Sequence, residues 1–165
     1  MISAERYVRT RYCDDVRAEV GGKYSLMGCY NSVLLLEGAS DSSIVLPKLC
    51  AAIEVTTPVS RPFVSMTIRA YFNDELLGEL SVSPEQMAAV MSAGANPHIA
   101  EPIWHAVNAF MTFAPLVVSP SGGKLRIEVE TEEGMLNSNS LMIVVNASTA
   151  SDTSAPAATA QEALH

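Results

Sequence analysis

No run of apolar residues in this chain approaches the roughly 20 that a membrane-spanning helix needs. Stretches such as Leu116–Val118 and Leu141–Val145 have the length of strands. A membrane partner is therefore not expected. Cysteine is scarce: Cys13, Cys29 and Cys50 are odd in number and show no Cys-x-x-Cys spacing. The expectation is three reduced, buried thiols in a cytosolic setting. The histidines, His98, His105 and His165, lie far from them in sequence and suggest no metal site. Positive charge is in short supply, with 10 Lys and Arg against 18 Asp and Glu and a net charge of −8. That sign disfavours unspecific binding to nucleic acid, which works by neutralising phosphates. Met1–Arg6 holds no apolar core followed by a cleavage site, so export by a signal peptide is not expected.

What is present reads as a folded domain. A 48% hydrophobic fraction in 165 residues is enough for one sizeable core. Period-two alternation dominates. Val64, Met66, Ile68, Ala70 and Phe72 share one face, opposite Ser65, Thr67, Arg69 and Tyr71. Leu125, Ile127 and Val129 alternate with Arg126, Glu128 and Glu130, and Leu49, Ala51, Ile53 and Val55 make a third apolar face. Further strands are predicted over Tyr7–Cys13, Lys23–Leu35, Leu76–Val82, Val107–Val118 and Ser140–Asn146, with a tight hairpin at Asn73-Asp74. One segment breaks the pattern. Ser83 as N-cap, Pro84 at the first helical position and Glu85 in the first turn predict a short helix over about Pro84–Ala93. An irregular loop is expected over Gly94–Pro102. The fold expected is all-β: a two-sheet antiparallel β-sandwich over residues 1–146 with one short helix. Residues 147–165, built from Ala, Ser, Thr and Pro, are expected to form a low-complexity C-terminal tail.

No catalytic constellation is legible. The Gly21-Gly22-Lys23 triplet lacks the spacing and the following helix of a phosphate loop, and no Gly-x-Ser-x-Gly elbow exists. Asp14, Asp15 and Glu19 form the tightest carboxylate group. Oxygen ligands suit a hard cation, but Arg17 stands among them as a counter-ion, so a turn with a salt bridge is preferred over a metal site. Glu128, Glu130, Glu132 and Glu133 read as a solvated row or an edge guard. Trp104 and His105 read as packing at a loop boundary. Arg9 and Arg11, two apart, share a strand face with Tyr7 and make a candidate contact strip. Ser140–Asn146 is apolar on both faces, as in a central strand or one held at an interface. Arg9, Arg11, Asp14, Asp15, Arg17, Leu141 and Ile143 are thus the candidate protein-contact residues, with no cofactor expected.

Cys13 to Tyr30 packs a charged turn, a Gly-Gly pair and a β-rich run into one block, the mark of a strand–turn–strand unit. Cys13, Asp14, Asp15, Arg17, Glu19, Gly21, Gly22, Lys23, Ser25, Leu26 and Gly28 match a Cys-Asp-Asp-x-Arg-x-Glu-x-Gly-Gly-Lys-x-Ser-Leu-x-Gly opening. Over about the first third of its length the chain resembles a family of uncharacterised bacterial and bacteriophage proteins with that opening. The resemblance implies a small β-rich domain occurring in phage genomes near structural genes, and no catalytic residue. The expectation is a non-enzymatic, virion-associated structural protein of the capsid, portal or tail. Its partners would be other virion proteins and copies of itself, in the virion or in the host cytoplasm before assembly. The alternative is a cytoplasmic bacterial β-sandwich module that binds a ligand or a protein.

Overall fold

The computed structural model describes residues 5–38, 41–93 and 104–147. Along them the alternating pattern becomes β1 (Tyr7–Cys13), β2 (Asp15–Glu19), β3 (Lys23–Met27), β4 (Val33–Gly38), β5 (Ile44–Leu46) and β6 (Leu49–Pro58). Next come β7 (Met66–Phe72), β8 (Glu75–Val82), α1 (Pro84–Ala93), β9 (Trp104–Phe113) and β10 (Leu116–Val118). The last strands are β11 (Gly123–Thr131), β12 (Gly134–Asn137) and β13 (Leu141–Ala147). The expected loop at Gly94–Pro102 and the expected tail beyond Ala147 lie outside the described residues.

The fold is all-β and sandwich-like. A three-stranded antiparallel sheet, in the order β1-β6-β9, lies on one side. A larger sheet runs β4-β13-β11-β7-β8, with β12 also paired to β11. Two small pairs, β2-β3 and β10-β5, complete it. Within the large sheet only β13 and β4 run parallel. The inward positions of both sheets meet in one core. Tyr12, Leu49, Ile53 and Val55 come from the small sheet, and Met66, Ile68, Leu125, Ile127, Leu141 and Ile143 from the large one. At about 25 cal/mol per Å² of apolar surface removed from water, this burial is the main force holding the sheets together.

Two polar contacts fix how the sheets meet. The buried Tyr12 hydroxyl donates to the carbonyls of Asn139 (3.0 Å) and Leu125 (3.3 Å). The Asn139 side chain accepts from the Thr10 amide at 3.0 Å and donates to the Thr10 carbonyl at 2.9 Å. It behaves like one rung of an absent neighbouring strand, and so satisfies β1 on its outer edge at that residue.

Several boundaries differ from the sequence reading. The single strand expected over Lys23–Leu35 is β3 and β4, interrupted because Gly28 adopts φ 65° and Tyr30 bridges to Tyr12. The strand expected over Val107–Val118 is β9 and β10, broken at Pro115, which has no N–H to give a ladder. Val64, assigned to the inward face, is 54% exposed and precedes β7. β6 is buried on both faces rather than one, because the β2–β3 hairpin covers its outer side. β5 and β12, with three and four residues, are too short to declare a period and were not foreseen. Of the three thiols expected to be buried, Cys29 is exposed, since it lies in the bend between β3 and β4.

Candidate functional site

The outer face of the small sheet carries the most distinctive arrangement of polar groups. Alternation on β1 buries Thr10 and Tyr12 and exposes Tyr7, Arg9 and Arg11. Register places Arg9 opposite Glu54 and Arg11 opposite Ala52 on β6, which in turn face Asn108 and Phe110 on β9. Over this face folds the β2–β3 hairpin. Its turn is made possible by Gly21 and Gly22, at φ 81° and 73°, a backbone region that side chains rarely adopt. Tyr24 stacks edge-on against Phe110 at 4.9 Å and its hydroxyl lies 3.3 Å from Asn108 Oδ1. On the β3 flank of the hairpin a cleft of ≈ 90 Å³ is left open, lined by Arg9, Arg11, Tyr24, Leu26, Glu54 and Asn108.

Arg9 and Arg11 do share the exposed face of β1 with Tyr7, as their spacing implies. Sequence reasoning missed the rest of the cleft. Tyr24, Leu26, Glu54 and Asn108 come from three other strands, and no spacing signals their convergence.

Asp14, Asp15 and Arg17 are placed differently. Asp15 pairs with both Arg17, at 3.2 Å, and Lys48, whose hydrogen bonds hold its carboxyl below the usual carboxylate value. Arg17 thus pairs along its own strand, two residues away, and not across the hairpin. Asp14 accepts the Tyr30 hydroxyl, and Glu19 accepts Ser25 Oγ at 2.9 Å. The three acids share no partner. Among the described residues, no group of three His, Cys, Asp or Glu side chains is placed to hold a metal ion. Cys13 and Cys50 stand opposite each other in register, both buried. Burial, with Cys50 and Cys29 nearby, pushes the Cys13 thiol up to about 11, so it stays protonated at neutral pH.

Leu141 and Ile143 cannot meet a partner. They are 0% and 1% exposed, because the inward phase of β13 closes the core. The opposite phase does the reverse of what was expected of a strand covered on both sides. Met142 and Val144 are exposed at 43% and 38%, and their register partners on β4, Val33 and Leu35, at 46% and 63%. Four apolar side chains thus form a band on the outer face of the large sheet, ending at the edge strand β4. Elsewhere on that face Leu76 and Met135 are also exposed, in register with Tyr71 and Glu130, and most of the charges are internally paired. Arg69 bridges Glu79 and Glu130, each at 2.7 Å, and Arg126 pairs with Glu128 at 3.1 Å. The glutamate row of β11 is therefore neither an edge guard nor a simple solvated row, since its counter-ions are intramolecular. Val33 and Leu35 were legible in the run Val33–Leu36, where apolar residues occupy both phases.

No protein-family model matches the chain, and no curated protein sequence matches it. No helix among the described residues is long and apolar enough to cross a membrane, which says nothing of crossing by strands.

Proposed function

We propose that this chain is a virion-associated structural protein of a bacteriophage, acting through protein–protein contacts with copies of itself and with capsid, portal or tail components. The observation that carries the contact reading is the apolar band of Val33, Leu35, Met142 and Val144. A contiguous exposed apolar band costs solubility unless another surface covers it. A second copy is the occupant favoured by geometry. β4 is the last strand of its sheet among the described residues, and two such edges can pair about a twofold axis, which joins the sheets and brings the two bands side by side. The virion assignment rests on the resemblance of the Cys13–Gly28 block to bacterial and phage proteins.

Light scattering coupled to size separation tests the contact reading. A discrete oligomer is expected, reduced to monomer by Leu35→Glu, which places a charge at the most exposed point of the band. A wild-type chain that stays monomeric at high concentration would sink it. Mixing the purified protein with particles that lack it tests the virion assignment, and failure to incorporate counts against it.

A further inference from the structure

Seven arginines occur in the chain, and five of them, Arg6, Arg17, Arg61, Arg69 and Arg126, form ion pairs. Arg9 and Arg11 form none with the described residues, although acids outnumber bases 18 to 10. Both line the same cleft. Glu54 faces Arg9 in register, yet the two do not pair. The Arg9 guanidinium lies 5.9 Å from the centre of the Tyr7 ring, and two arginines on one strand face without a carboxylate among the described residues are the reverse of what self-neutralisation gives in an acid-rich chain.

We propose that the Arg9–Arg11 cleft binds an acidic, extended segment of a partner protein, taking carboxylates two residues apart. Spacing is the first argument. Residues i and i+2 of a strand lie about 6.8 Å apart on one face, so the two guanidiniums match carboxylates at the same interval on an extended ligand. Each guanidinium offers a planar fork that a carboxylate fills bidentately. Size is the second. A cleft of ≈ 90 Å³ admits a carboxylate-bearing side-chain end, whereas small-molecule pockets run to about 300–1,000 Å³. Specificity is the third. Glu54, and Tyr24 with Leu26 on the roof, border the guanidiniums, so an acidic side chain must align with Arg9 and Arg11 and keep clear of Glu54.

This cleft deepens the interaction reading by naming the chemistry of a partner, and it rests on that reading only for its purpose. It lies on the opposite sheet from the β4–β13 band, so peptide binding and self-association succeed or fail separately.

The test uses the full chain and a fluorescently labelled peptide, Gly-Glu-Thr-Glu-Thr-Gly, followed by anisotropy. Saturable binding is expected, weakened at least about tenfold by Arg11→Gln and by Arg9→Gln. Lys124→Gln, which removes one charge from the other sheet, should leave the Kd unchanged. Both arginines are exposed, so circular dichroism should show the variants folded. Equal binding of the Gln-for-Glu peptide overturns the proposal, as does no binding at millimolar protein. Inorganic phosphate occupying the cleft at lower concentration than the peptide, read from the arginine Nε–H resonances, overturns the carboxylate as the ligand.

Discussion

Arg6 stands just before β1 and ties loops of the sandwich together. Its side chain is only 4% exposed, and it contacts Glu132 at 2.6 Å, Glu133 at 3.4 Å and the Thr57 hydroxyl at 3.1 Å. It also donates to the carbonyls of Arg61 and Pro62, each at 3.1 Å, and its guanidinium lies 4.6 Å from the centre of the Phe63 ring. Removing one member of a shielded ion pair leaves the other charge with reduced compensation. Arg6→Ala should therefore destabilise the chain by about 3 kcal/mol in urea unfolding, and a loss below about 0.5 kcal/mol, typical of an exposed pair, would contradict this role. Glu132 gives the same network a pH dependence. Burial resists its ionisation, but the amides of Val64 and Ser65 and the Arg6 guanidinium outweigh that and hold its carboxyl below the usual value. A folded-state value below the unfolded one means the stabilisation is present above the ordinary glutamate range and is lost as pH falls through the folded value. Melting temperature should thus fall on acidification from about pH 5, and Glu132→Gln should flatten that slope. An unchanged acid slope in the variant would remove Glu132 from the explanation.

At the scale of elements, the β2–β3 hairpin decides whether a cleft exists at all. Its return to β4 passes through Gly28, where a side chain is doubly barred. The backbone has φ 65°, and an added Cβ would come within 1.9 Å of Asp14 Oδ2. Gly28→Ala must displace Asp14 from Tyr30, so it should cost more than the about 1 kcal/mol of a left-handed residue alone. It should also loosen the Tyr24–Phe110 contact, readable as a shift in near-ultraviolet circular dichroism; a silent substitution would show that the hairpin is anchored elsewhere. The helix offers a contrast. Ser83 and Gln86 exchange the bonds of a capping box, at 3.3 and 2.9 Å, so Ser83→Ala should cost about 1 kcal/mol; a melting temperature equal to wild type would rule the cap out as a stabiliser. This contrast explains what the sequence made legible. β1 and α1 begin and end where expected because their signals are local: period two over seven residues, and a cap followed by proline. Leu125, Ile127 and Val129 fall inward for the same reason. What was hidden depends on pairing between distant strands. Nothing near Leu141 states which of its two apolar phases faces the core, and nothing near Arg9 announces that Asn108 and Tyr24 will stand beside it.

Taken whole, the molecule presents two surfaces of opposite physical character on its two sheets, and salt separates them. The band on β4 and β13 is apolar, and sulfate strengthens apolar association because it is excluded from protein surfaces. In the ladder beside it Arg69 and Arg126 form surface ion pairs, each worth little, so screening changes little there. The Arg9–Arg11 cleft works by charge, and attraction between exposed charges fades as the screening length shrinks from about 10 Å at 0.1 M salt to about 3 Å at 1 M. Raising sodium sulfate over that range should therefore tighten self-association while weakening the acidic peptide several-fold, with both measured on the same sample. If the two responses move together, the surfaces are coupled or share a single driving force, and the division of labour between the sheets is wrong. Opposite responses assign the large sheet to assembly and the small sheet to recognition of a charged partner.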